Sequence, residues 1–149
     1  MPLSSDSREF IALLNSHGVE YLIVGAHSLA FHARPRFTGD LDILIRPSAA
    51  NATKIVAVLN EFGFGELGVR SSDFTAPDQV IQLGRAPNRI DLLTSMSGVN
   101  TDEAFANKIA AELDGLPVSF ISKTLLLANK RAVGRPQDLA DISELEDAE

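Results

Sequence analysis

Asp40 and Asp42 stand one residue apart in the run Thr38-Gly39-Asp40-Leu41-Asp42-Ile43-Leu44-Ile45. The apolar residues predict a buried strand, and strand side chains alternate between faces. Both carboxylates therefore point one way, while Leu41 and Ile43 face the other. Two unit charges about 4 Å apart repel by roughly 1 kcal/mol in water and roughly 4 kcal/mol at an effective dielectric of 20. A cation held between them would reverse that repulsion. Hard divalent ions such as Mg²⁺ or Mn²⁺ take carboxylate oxygens and assist phosphoryl transfer. An Asp-x-Asp alone is a weak signal, because most instances cap helices or sit solvated in loops.

Two other segments strengthen it. Tyr21-Leu22-Ile23-Val24 is a short apolar strand that stops at Gly25, and Ala26-His27-Ser28-Leu29-Ala30-Phe31-His32 suits a helix. Glycine permits a tight turn and lets a ligand approach the backbone. The free N–H groups at a helix start can hold phosphate oxygens. Gly25 and Ala26 would form that cradle, and Ser28 would add a hydroxyl. Downstream, Asn88-Arg89-Ile90-Asp91-Leu92-Leu93-Thr94 is an apolar strand interrupted by one acid. A carboxylate is costly to bury unpaired. Asp91 is expected on a neighbouring strand, facing Asp40 and Asp42; the competing reading is an exposed position on an edge strand.

Together these segments resemble the polymerase-beta-type nucleotidyltransferase superfamily. Its pattern is an apolar strand, Gly followed by Gly or Ser, a spacer, then Asp-x-Asp/Glu between apolar residues, with a third carboxylate on a later strand. Here the matching residues are Gly25-Ala26, Asp40-Leu41-Asp42 and Asp91. The chain is similar in particular to the small prokaryotic stand-alone members, including those of toxin–antitoxin modules. Arg36-Phe37-Thr38 matches their Arg-x-Thr before the acidic pair. The segment from Lys130 to Asp141, with Gly134-Arg135-Pro136-Gln137-Asp138-Leu139, is similar to a basic segment that they carry. Ala26 departs from the pattern: it keeps the backbone N–H but brings no hydroxyl.

The resemblance implies an α/β (α+β) domain spanning 1–149, a small mixed sheet flanked by helices in the nucleotidyltransferase fold, with its core at about 20–95. It implies Asp40, Asp42 and Asp91 as catalytic carboxylates that bind Mg²⁺ or Mn²⁺. It places Gly25, Ala26, Ser28, Arg36, Thr38 and Lys130 toward the nucleotide and its phosphates. The implied reaction moves a nucleoside monophosphate from an NTP, ATP first among them, to a hydroxyl of a protein, an RNA or a small molecule. The alternative is a catalytically weak or inactive relative that binds a toxin or antitoxin partner.

Composition narrows the classes. At 149 residues, with 45% hydrophobic and 22% charged residues, the chain suits one ordinary globular core. No apolar run reaches the length of a membrane span, so no membrane partner is expected. Cysteine is absent, which excludes disulfides and thiolate metal sites. The stretch Met1 to Asp6 lacks a signal-peptide pattern, and cytoplasmic residence is the expectation. The net charge of −7 argues against broad binding to nucleic acid. A local basic patch of Arg34, Arg36, Lys123, Lys130, Arg131 and Arg135 remains a candidate RNA contact.

The elements that must position these residues follow from periodicity and punctuation. Ser5 or Asp6 is expected to cap a first helix, and Gly18 to end it. The Tyr21 strand, a helix over about 26–33 and the Asp40/Asp42 strand come next. Ser48 starts a long helix with Ile55, Val56, Val58, Leu59 and Phe62 inward, and Gly63 ends it. Residues 64–78 read as loop with one short strand. Residues 80–83 and 89–93 read as an antiparallel pair. A short helix is expected over 102–108, then a hairpin about Asp114-Gly115. Two helices close the reading over about 122–146. The first is capped by Ser122 and carries Lys123 and Lys130 on one face; the second has Leu139, Ile142 and Leu145 packing inward. Arg135 and Asp138 are expected to tie these two helices together. The spacing of His17, His27 and His32 does not suggest a zinc site.

Overall fold

The structure, a computed structural model, describes residues 3–33, 39–85 and 88–148, apart from the side chain at position 66. Six strands form one mixed sheet: β1 (Tyr21–Val24), β2 (Leu41–Ile45), β3 (Val80–Leu83), β4 (Ile90–Leu93), β5 (Ile109–Leu113) and β6 (Leu116–Phe120). Their order across the sheet is β3-β4-β2-β1-β6-β5. The two strands with functional promise, β2 and β4, run parallel and side by side at its centre. β1 pairs antiparallel with β2 on the other side.

Helices cover both faces. On one face, α1 (Ser5–Ser16) and α3 (Ala49–Phe62) pack on Tyr21, Ile23, Leu41, Ile43, Ile45, Ile90 and Leu92. On the other, α2 (Gly25–His32), α4 (Thr101–Ala106), α5 (Lys123–Val133) and α6 (Pro136–Asp147) pack about Leu22, Val24 and Leu44. This division fixes which way the acids point. Leu41 and Ile43 are completely buried against α1 and α3. Burying each contributes about 1.5–3 kcal/mol. A slip of one residue in β2 would expose both and drive Asp42 into that apolar layer. The apolar residues of β2 thus hold Asp42 on the α2/α5/α6 face.

Most elements lie where the sequence reading put them. The β5–β6 hairpin turns through Asp114 and Gly115 at φ 51° and 81°, the left-handed pair of a type I′ turn. Four expectations need correction. Ser4, not Ser5 or Asp6, caps α1, accepting from the Ser7 N–H. The expected strand within 64–78 is absent; that stretch forms short 3₁₀ turns at Gly65–Leu67 and Ser71–Phe74, and it anchors through the fully buried Phe74. The short helix spans Thr101–Ala106 and is capped by Asn100. Leu139 does not pack inward: it is 59% exposed, and Asp138 and Asp141 are buried on the inward face of α6 instead.

Candidate active site

Asp42 lies opposite Asp91 in the parallel register of β2 and β4. Their carboxyl groups come within hydrogen-bonding reach of each other. Burial, and then the Asp91 charge and hydrogen bond, push the Asp42 carboxyl up to about 6. This is the response expected of a carboxyl taken partly out of water beside a like charge. Asp91 itself is buried. The structure thus joins two of the three acids singled out in the sequence.

The third is held differently. Asp40 sits just before β2, where its Oδ1 accepts from the backbone N–H of Arg89 at 3.0 Å. The Leu41 N–H donates in turn to the Arg89 carbonyl at 2.9 Å. The Arg89 guanidinium grips Asp91 with both arms, Nε to Oδ1 at 2.8 Å and Nη2 to Oδ2 at 3.1 Å. The same Nη2 lies 3.8 Å from Asp40 Oδ2. Arg89 therefore bridges two of the acids, and the sequence reading did not single it out. Its signal was present: Arg89 and Asp91 are two residues apart on a strand and so share a face.

These groups suit a divalent ion in part. Oxygen donors without sulfur or a histidine cluster match a hard cation. The raised Asp42 carboxyl marks a local excess of negative charge that such an ion would relieve. As they stand, however, no three or more acid or histidine side chains among the described residues are gathered around one point. Asp42 and Asp91 form the ready pair, and Asp40 stands at its rim, turned toward Arg89.

Gly25 closes the site from the β1 side. Its φ is +66°, a conformation that side chains rarely adopt. A Cβ built there would collide with the Asp42 carboxylate and lie 3.0 Å from the Asp42 Cβ. The glycine lets backbone and acid lie in contact. No side chain caps the start of α2, so its first N–H groups remain open to a ligand. Ser28 is a correction. It is 0% exposed, and its hydroxyl donates to the Gly25 carbonyl at 2.7 Å. It braces the turn from behind and does not present its hydroxyl to a phosphate.

A cavity of about 350 Å³ opens between Asp42 and the last two helices, within the range of small-molecule clefts. Gly25, Ala26 and Asp42 line one wall; Lys130, Arg135 and Asp138 line the other. Lys130 is only 9% exposed, and its ammonium pairs with Asp141 at 3.0 Å and Asp138 at 3.5 Å. Arg135 donates through Nε to Asp138 at 2.8 Å. That hydrogen bond, above all, holds the Asp138 carboxyl down at about 2. Arg135 and Asp138 do pair, but within the start of α6, where Arg135 is the N-cap; the tie between the last two helices runs from Lys130 on α5 to Asp138 and Asp141. Within the basic patch, Lys123 donates to the Ala148 carbonyl at 2.7 Å, and the exposed Arg131 pairs with Glu146 at 3.6 Å. Arg34, Arg36 and Thr38 lie outside the described residues.

No family model and no curated protein sequence matches the chain. Solved structures do. An inferred nucleotidyltransferase from Thermotoga maritima aligns over 95% of this chain and 90% of its own, at a TM-score of 0.62 and 15% identity. The lincosamide antibiotic adenylyltransferase LnuA, solved with lincomycin bound, aligns over 99% of both chains at 0.60 and 15%. ANT(2")-Ia, solved in complex with adenylyl-2"-tobramycin, aligns over 93% of this chain and 84% of its own at 0.54 and 13%. The chain has the nucleotidyltransferase fold. No helix among the described residues is long and apolar enough to cross a membrane.

Proposed function

We propose that this chain is a divalent-metal-dependent nucleotidyltransferase. It would transfer a nucleoside monophosphate from an NTP, with ATP the first candidate, to an acceptor hydroxyl. One observation carries this reading: Asp42 and Asp91 meet on adjacent strands, at a cavity that the uncapped start of α2 also faces. The fold shared with antibiotic adenylyltransferases supports it.

The division of labour follows from position. The first N–H groups of α2, from Gly25 and Ala26 onward, hold phosphate oxygens. Asp42 and Asp91, joined by Asp40, hold Mg²⁺ or Mn²⁺. When bound, the metal neutralises charge on the transferring phosphate and lowers the pKa of the acceptor hydroxyl. Asp91 takes the proton as the acceptor oxygen bonds to the α-phosphorus. The bond from that phosphorus to the pyrophosphate breaks in line. Lys130 and Arg135, on the opposite wall, face the polyphosphate while keeping Asp138 and Asp141 neutralised.

For the acceptor, a hydroxylated small molecule ranks ahead of protein or RNA in this reading, because two structural neighbours carry such compounds in their crystals. A second reading has its own observation. Arg89 already neutralises Asp91 and leans on Asp40, and Ala26 brings no hydroxyl. A nucleotidyltransferase-like binding protein, paired with a toxin or antitoxin, would keep that arrangement. The deciding experiment incubates the pure chain with Mg²⁺ or Mn²⁺ and each NTP labelled at the α-phosphorus. Acceptors are an aminoglycoside and lincosamide panel, total RNA and lysate protein. Label transfer that Asp40→Ala/Asp42→Ala abolishes supports the enzyme. No transfer, with no metal-dependent NTP binding by calorimetry, supports the binding protein.

A further inference from the structure

We infer that Arg89 is a built-in counter-cation that competes with the divalent metal for Asp91 and Asp40, so that metal loading requires its guanidinium to let go. This rests on the reading of Asp40, Asp42 and Asp91 as a cation site.

The geometry points there from three sides. Both Asp91 oxygens accept from one guanidinium, at 2.8 and 3.1 Å, the fork arrangement of a strong Arg–carboxylate pair. The same Nη2 lies 3.8 Å from Asp40, so Arg89 spans the two acids that flank Asp42. Its backbone is fixed at the spot: the N–H is held by Asp40, and the carbonyl by Leu41. Arg89 cannot leave as a residue, but its side chain, one-third exposed, can swing out. A divalent ion seated on Asp91 would face the guanidinium at close range. Their repulsion is direct, and both need the same two oxygens. Arg89 is thus a positioning residue. It keeps the carboxylates spaced and solvates their charge when no metal is present, and it sets the metal concentration at which the site fills.

The competition predicts an unusual pair of effects. Arg89→Gln removes the competitor, so Mn²⁺ should bind at least tenfold more tightly. It also takes the guanidinium from the buried Asp91, so the metal-free protein should melt at lower temperature. Saturating Mn²⁺ should close that gap. Arg89→Lys keeps the charge and loses the fork, so it should tighten Mn²⁺ binding by a smaller factor. The measurements are Mn²⁺ binding by the paramagnetic resonance of the free ion, and thermal melts with and without Mn²⁺. A bracing role alone would lower both melting temperatures and leave Mn²⁺ affinity unchanged or weaker, which would overturn the inference. If Arg89→Gln does not fold without metal, Arg89→Lys decides: affinity equal to or below wild type overturns the competition. Wild-type protein that binds Mn²⁺ and transfers label, beside variants of unchanged affinity, sinks the role of Arg89 alone. A wild-type chain that binds neither Mn²⁺ nor NTP sinks the metal-site reading as well.

Discussion

Two charged clusters face each other across the same cavity, and they are built to opposite ends. On α5 and α6, Lys130 and Arg135 meet Asp138 and Asp141, two cations for two acids. At the sheet, Asp40 and Asp91 meet Arg89, and Asp42 lies beside Asp91. The balanced cluster pulls a carboxyl down, with Asp138 at about 2. The unbalanced one pushes a carboxyl up, with Asp42 at about 6. Burial raises Asp42 first and the neighbouring Asp91 charge adds to it, whereas the hydrogen bond from Arg135 outweighs burial at Asp138. A cluster that is neutral by itself holds helices together. One that is short of positive charge is poised for a cation from solution.

The largest expected effect tests that deficit. Asp42→Asn should lower label transfer by about a thousandfold, or about 4 kcal/mol of transition-state stabilisation. It should at the same time stabilise the metal-free protein at pH 7, as read by denaturant melts. A loss of metal-free stability would mean that the acids are not in conflict, and the contrast would break. Next comes the balanced side. Lys130→Met takes the buried ammonium from Asp138 and Asp141 and should cost about 3–5 kcal/mol of stability. A neutral result would show that this cluster is dispensable to the fold.

The two clusters should also answer pH with opposite slopes. The folded Asp42 carboxyl lies above its unfolded value of 3.8. Its contribution is therefore greatest below about pH 4 and is lost as pH rises through about 6. Allowing for partial exposure, the change is on the order of 2 kcal/mol, and Asp42→Asn should flatten it. Asp138 lies below its unfolded value. Its contribution is present above pH 4 and is lost as pH falls toward 2; Asp138→Asn should remove that acid limb. Parallel slopes in the two variants would erase the distinction. The smallest effect is on the outer face of α6. Leu139→Ala should change stability by no more than about 0.5 kcal/mol, because the side chain is mostly exposed. A larger loss would mean that α6 packs through its leucine after all.

Strand alternation carried most of what was legible. The run Leu41 to Ile45 fixed the facing of Asp42, and the acid in Ile90–Leu93 announced a partner, though not its register. What stayed hidden depends on chain segments distant in sequence. The reach of Arg89 to Asp40 is not visible until β4 lies beside β2. The error at Leu139 is instructive. A search for apolar residues alone selects Leu139, Ile142 and Leu145. The buried stripe is Asp138, Asp141, Ile142 and Leu145, a regular helical spacing whose first two members are acids. They are buried only because Lys130 and Arg135 meet them. Ser28 was misread for the mirror reason: a hydroxyl near a phosphate turn was taken to face outward, and it is spent on the turn's own carbonyl.

The parallel pairing of β2 and β4 also orders events in time. Forty-nine residues separate Asp40 from Arg89, and α3, both 3₁₀ turns and β3 intervene. Parallel neighbours require such a crossover, and the entropy of closing it must be met before the strands reward it. β1 and β2 can pair earlier, with Asp42 beside Val24 and still hydrated. The conflict with Asp91 arises only as β4 docks, so the acids oppose that step and leave the β1–β2 pairing untouched. A divalent ion seated on the acids as proposed would ease that docking, and its addition would then speed folding as well as raise stability.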